Sequence, residues 1–217
     1  MKLLRLYDYG ESGNAYKVRL LLTLLGQPFE RVHLDILAGE TRTDAFLQKN
    51  PNHRLPTLEW PDGRVLSESN AILCYLAEGT PWWPEDAFER AQALQWMFFE
   101  QYSHEPFIAV LRFWTFAGQL REHTEQEIAA KREGGLHALA VIEEHLAERD
   151  WFVGERCSVA DLALYAYTHV AHEGGFDLAG FPGVRAWTVR VASEPGHVSI
   201  EAETGTLIDW PESGPGA

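Results

Sequence analysis

Cysteine is scarce in this sequence: 217 residues contain two, Cys74 and Cys157. They form no C-x-x-C pair and no zinc-type Cys/His spacing, which excludes a dithiol centre of the chain's own and the common structural zinc sites. Both lie in apolar, helix-like surroundings and read as buried thiols, and the want of a disulfide framework fits a reducing compartment. Positive charge is the second shortage. Eighteen Lys and Arg stand against 32 Asp and Glu, a net charge of −14, which argues against nucleic acid as a partner because phosphate binding needs a basic surface. Small anions remain possible ligands, since they need only a local positive site. Long apolar runs are the third absence. No stretch approaches the ~18 residues that span a bilayer, and MKLLRLYDYG has neither an uninterrupted apolar core nor a small-residue cleavage site. The expectation is a cytoplasmic protein with no membrane partner. No H-E-x-x-H occurs; His169 and His172 sit three apart with no evident third ligand, so no metal is expected.

What is present is a sequence of alternating periods. LRLYDY (4–9) predicts a strand, residues 10–13 a turn, and residues 15–25 a helix with leucines all around it. Gly26 and Pro28 stop that helix. FERVHLD (29–35) alternates with period two and predicts a second strand, followed by a short helix over 44–49. Pro61, Asp62 and Gly63 form a turn between two strands, and Ser69 opens a helix over 70–78. The string β-α-β-α-β-β-α implies a parallel first pair and a closing hairpin. GTPWWPEDAF (79–88) then breaks the pattern. Beyond it the period is helical: 88–118 with Pro106 as a kink or break, 125–149 with Gly134 and Gly135 as a weak point, an apolar helix after Ser158, and a last helix over 184–193. Ser158 and Asp161 form an S-x-x-D capping arrangement for the apolar helix, which should be the domain's core. No periodic signal follows Gly196, and PESGPGA reads as a disordered tail. The domain reading is therefore 1–79 as an α/β unit, 80–87 as linker, and 88–217 as an all-helical unit with 197–217 irregular.

Four stretches carry a family resemblance: S-G-N-A-Y-K-V-R (12–19), N-P-N-H-R-L-P-T-L (50–58), S-E-S-N-A-I (67–72) and S-V-A-D (158–161). In this order and spacing, over about the first 195 residues, the sequence resembles the cytosolic glutathione S-transferases of bacterial, serine-turn type. The resemblance implies a thioredoxin-like β-α-β-α-β-β-α domain followed by an all-helical domain. It implies glutathione as co-substrate, a homodimer, and a role in detoxification.

The chemical problem implied is to hold glutathione and keep its sulfur as thiolate. A cysteine-type thiol titrates near ~8.5, and lowering that by about two units takes roughly 2.7 kcal/mol of preferential stabilisation of the anion. A hydroxyl donor and the positive end of a helix supply energy on that scale. Ser12 stands just before the first helix and is the first candidate donor; the Asn14 amide is the rival, and both also read as simple helix caps. Tyr7 and Tyr9 are weaker rivals whose blander role is packing from the strand. By resemblance, Leu55-Pro56 carries the cis bond whose exposed backbone pairs with the cysteinyl part of glutathione. Glu68 and Ser69 stand where the γ-glutamyl group binds, at a helix N-terminus suited to a carboxylate. His53, Arg54, Thr41 and Arg42 are candidates for the glycyl carboxylate. Tyr9, Tyr102, Phe107 and Trp114 are candidates for an apolar electrophile pocket between the domains. Ser158 and Asp161 are structural.

Two readings compete. The first is a transferase in which the bound thiolate attacks a small apolar electrophile, with a glutathione-dependent disulfide reductase or peroxidase as a variant. The cysteine-using classes are disfavoured because residues 12–15 hold no cysteine. The zeta-type isomerases, with S-S-C in the turn, are disfavoured by S-G-N and by Lys17 before Val18 and Arg19. The second, of another class, is a non-catalytic interaction or ligand-binding module on the same fold.

Overall fold

The computed structural model describes residues 3–208 and 210. The chain divides into two compact units, one from residue 1 to Leu76 together with the segment from Pro195, the other Ala77–Glu194.

In the first unit, β1 (Leu4–Asp8), α1 (Gly13–Leu24) and β2 (Phe29–His33) make a β-α-β crossover with β1 and β2 parallel, Leu4 opposite Phe29. A 3-10 turn at Glu40–Arg42 and α2 (Asp44–Leu47) lead to β3 (Thr57–Glu59) and β4 (Val65–Ser67), an antiparallel hairpin, then α3 (Ser69–Ala77). The alternation in β1 explains the layers. Leu4 and Leu6 face α1 and α3 through Val18, Leu22 and Ile72, whereas Tyr7 faces the other way onto Val32, Leu34 and Phe46 of α2. Both faces of the sheet are covered.

The end of the chain differs from expectation. Residues 195–208 belong to this unit, not to the helical one, and β5 (Thr206–Ile208) pairs parallel to β2, giving a five-stranded sheet in the order β4-β3-β1-β2-β5. Tyr16 donates to the Val198 carbonyl at 2.7 Å, and Arg19 donates to the Ile200 carbonyl at 3.0 Å. A three-residue strand is too short to show a period, and what orders it is a pairing partner far upstream. The expected tail 211–217 lies outside the described residues.

In the second unit, α4 (Ala87–Phe99) passes through a π turn at Glu100–His104 into α5 (Glu105–Phe116). Pro106 sits in the first turn of α5, so the break falls one turn before it, where its missing N–H would have been needed. α6 (Glu125–Leu146) runs unbroken through Gly134 and Gly135. That pair is not a weak point: a Cβ at Gly134 would collide with the Phe107 ring and one at Gly135 with the Phe176 ring, so the glycines are contact surfaces. α7 (Val159–Thr168) is buried along its whole length, and α8 (Pro182–Ala192) closes the unit. Ser158 and Asp161 form a complete capping box at α7. Asp161 accepts from the Ser158 N–H at 2.9 Å, from the Phe152 N–H at 3.2 Å and from the Trp187 indole at 2.9 Å. Among the described residues no helix is long and apolar enough to cross a membrane.

Candidate functional site

The turn after β1 places Ser12 as the N-cap of α1, in extended conformation, with its Oγ accepting from the Ala15 N–H at 3.2 Å. A hydroxyl that accepts from the backbone keeps its own proton to donate. The first turn of α1 carries no acidic residue, so the positive end of the helix is not offset there. Two residues on, the Asn14 Oδ1 accepts from the Lys17 ammonium at 2.7 Å and from the Ser69 hydroxyl at 3.2 Å. The carbonyl side of the amide is thereby fixed toward α3, and the NH₂ side faces away from Lys17.

Ser69 is the first residue of α3 and is buried. The preceding residue, Glu68, has φ of 68° and its carbonyl accepts from the Ile72 N–H at 3.0 Å. A left-handed glutamate at a helix start is strained, and such strain concentrates at functional sites. Its carboxylate accepts from the Asn52 amide at 3.5 Å, which ties the start of α3 to the loop before β3. That loop is organised by buried Asn50, whose Nδ2 donates to the Arg54 carbonyl at 2.8 Å and to the Thr57 hydroxyl at 3.1 Å while its Oδ1 accepts from the Asn52 N–H at 3.0 Å. Within the loop the Leu55-Pro56 bond is cis. His53 Nδ1 lies 3.2 Å from the Thr41 carbonyl; since a carbonyl only accepts, Nδ1 carries the proton. His53, Arg54 and Arg42 are exposed and Thr41 is buried.

The first unit thus brings together the starts of α1 and α3, through Asn14 and Ser69, and links them to the Leu55-Pro56 loop through Asn52. Tyr7 stands apart. It is fully buried and donates to Glu59, and burial followed by that bond raises its pKa, so its proton is committed to the carboxylate. Tyr9 lies with its ring 5.6 Å from His33, and burial with the nearby Asp35 and Glu11 raises its pKa as well. In the second unit the other aromatic candidates have separate neighbours. Tyr102 is 85% exposed, Phe107 packs on Gly134 beneath Lys131, and Trp114 stacks on His123. His169 bonds the Tyr165 carbonyl and stacks on its ring; no cluster of three metal-ligating side chains occurs among the described residues.

Sequence reasoning passed over Lys17 and Asn50. The signal for Lys17 was there: a lysine inside A-Y-K-V-R-L-L-L, a helix apolar on every side, has no solvent face to occupy. Asn50 had no comparable mark. Arg19, two residues further along the same helix, is likewise buried, donating to Asp8 at 2.8 Å and to the Gly10 carbonyl at 2.9 Å.

A sheet with a cis-proline loop before β3, two helix starts facing one point, and a separate helical unit define the class of glutathione S-transferase folds. Family models for the glutathione S-transferase N-terminal and C-terminal domains match residues 3–78 and 95–195, and the chain belongs to this family. A crystal structure of a glutathione S-transferase from Pseudomonas fluorescens superposes with a TM-score of 0.89 at 51% identity, covering 92% of this chain and 99% of that one. The glutathione S-transferase-like protein LUC7 of a Fusarium species is 31% identical over 196 residues, 86% of this chain and 87% of that protein. The transcriptional regulator URE2 of Saccharomyces cerevisiae is 28% identical over 233 residues, 88% of this chain and 65% of its own length. Ure2p in complex with glutathione superposes with a TM-score of 0.81 at 27% identity, over 90% of this chain and 96% of that one. The chain spans 40% of elongation factor 1-gamma of Artemia salina, to which it is 31% identical over 175 residues.

Proposed function

We propose that the protein binds glutathione and transfers it to a small apolar electrophile. The observation that carries this reading is the meeting of the two helix starts at Asn14 and Ser69, 3.2 Å apart. Two sets of helix N–H groups then serve one anionic ligand, one set for the sulfur and one for a carboxylate. In this reading the Ser12 hydroxyl donates to the sulfur, with Asn14 beside it. The Leu55 backbone pairs with the cysteinyl unit. Ser69 and the start of α3 receive the γ-glutamyl carboxylate, and Glu68 faces the ammonium. His53, Arg54 and Thr41 surround the glycyl carboxylate. The thiol proton leaves to water; the thiolate forms a C–S bond to the electrophile, and the leaving group departs with the bonding electron pair. Ser12 remains unmodified throughout, so the protein's work is positioning and charge stabilisation. Glutathione complexed to Ure2p supports the ligand assignment. The family's usual homodimer and a cytoplasmic location are part of the same proposal.

The likeness to a transcriptional regulator favours a second reading, a glutathione-binding protein without turnover. Both are tested by following thiolate absorbance of bound glutathione against pH, in wild type and in Ser12→Ala, with an aryl halide and a mixed disulfide as trial substrates. The transferase reading expects a bound-thiol pKa about two units below the free value in wild type, largely restored in the variant, which still binds. Binding without turnover of either substrate supports the regulator-like reading; no binding refutes both.

A further inference from the structure

Lys17 is fully buried, a rare placement for an ammonium group. It projects from α1 one turn beyond Asn14, and its Nζ lies 2.7 Å from Asn14 Oδ1, 3.5 Å from Ser69 Oγ and 3.5 Å from Asn70 Oδ1. Ser69 in turn donates to Asn14. The cation therefore touches residues from the first turns of both helices whose N-termini form the candidate site. Burying an ammonium group costs free energy that a leucine at the same position would not. The fold bears that cost where the first turns of α1 and α3 meet.

We propose that Lys17 is a positioning residue of the glutathione site: its ammonium locks Asn14 and Ser69 into one hydrogen-bonded array and lends that array a fixed positive charge. This rests on the glutathione reading above. The lock acts first on geometry. An asparagine amide can flip, and only one orientation turns its NH₂ away from α3; a cation on the carbonyl side selects that orientation. The charge acts second. Both the thiolate and the γ-glutamyl carboxylate are anions, and a buried cation behind their binding groups is poorly screened by salt. Lys17 touches neither reacting atom in this account; it works through Asn14 and Ser69.

Lys17→Gln separates this role from simple packing, because glutamine retains a donor of similar reach and loses the charge. In the thiolate titration, wild type is expected to show the depressed pKa. Folded Lys17→Gln should show a bound-thiol pKa raised by about one unit, which makes the thiolate fraction at pH 7 roughly threefold smaller, and Lys17→Arg should recover part of the shift. If Lys17→Gln weakens binding or lowers the melting temperature while the bound-thiol pKa stays at the wild-type value, Lys17 is only structural and the proposal is overturned, with the glutathione reading intact. If wild type itself fails to bind glutathione, both are overturned. Should Lys17→Gln not fold, Asn70→Asp sets a carboxylate of the same size against the ammonium and neutralises it in place. An unchanged bound-thiol pKa in that variant overturns the proposal, and a raised one supports it.

Discussion

Glu68 shows how one residue carries a cost for the site. Its φ of 68° lies in the left-handed region, where an L residue other than glycine loses roughly 1–2 kcal/mol. Glycine would remove that strain but add freedom to the unfolded chain, an offset of about 0.5–1 kcal/mol. Glu68→Gly is therefore expected to raise stability slightly, by about 0.5 kcal/mol in urea unfolding. The same change is expected to weaken glutathione binding, because the carboxylate proposed to face the ligand's ammonium is gone. Loss of stability with unchanged binding would mean that Glu68 serves the fold alone. The same scale explains what was legible at the site. Ser12, Glu68 and Ser69 stand at helix starts, and helix starts have a local signature. Lys17 and Asn50 act through bonds to other segments, which no local pattern reports.

At the scale of elements, α7 shows a helix whose cap is also a load on pH stability. Asp161 closes the capping box and anchors Trp187 and Phe152, yet burial pushes its carboxyl from the ordinary 3.8 up to about 6, against the pull of those hydrogen bonds. A raised folded-state pKa means the folded chain holds this proton more tightly than the unfolded one. The stability from this group is therefore complete below pH about 3.8 and is lost as pH rises through about 6. Asp161→Asn cannot titrate. The difference in unfolding free energy between wild type and the variant should shrink by about 3 kcal/mol from pH 3.5 to 7. A difference flat with pH would show that the Asp161 carboxyl titrates in the fold as it does in the unfolded chain. Elements also show where sequence pattern misleads. The Gly134-Gly135 pair reads as a break by propensity, but in the helix it is the surface on which Phe107 and Phe176 lie.

For the whole molecule, the decisive feature is the return of the chain to the first unit after Glu194. The segment from Pro195 supplies carbonyl acceptors to Tyr16 and Arg19, both buried on α1, and adds β5 to the sheet. Arg19 also holds the Gly10 carbonyl, in the turn that leads to Ser12. Ending the chain at Glu194 should cost the first unit about 2–4 kcal/mol in urea unfolding, the sum of two buried donors losing acceptors. Glutathione binding should weaken with it, since the turn loses a brace. A truncated chain of wild-type stability would show the segment to be an accessory.

By itself the sequence determined the order of the first four strands and of the helices, their caps, and the succession of an α/β part and a helical part. Each of these follows from neighbours within a few positions, through backbone geometry and the periods of buried side chains. Only the tertiary structure decided that α1 hides Lys17 and Arg19, that Asn14 meets Ser69, that Asn50 shapes the cis-proline loop, and that residues 195–208 join the sheet. Those depend on contacts between segments remote in the chain, whose energies come from burial and pairing that no single segment contains.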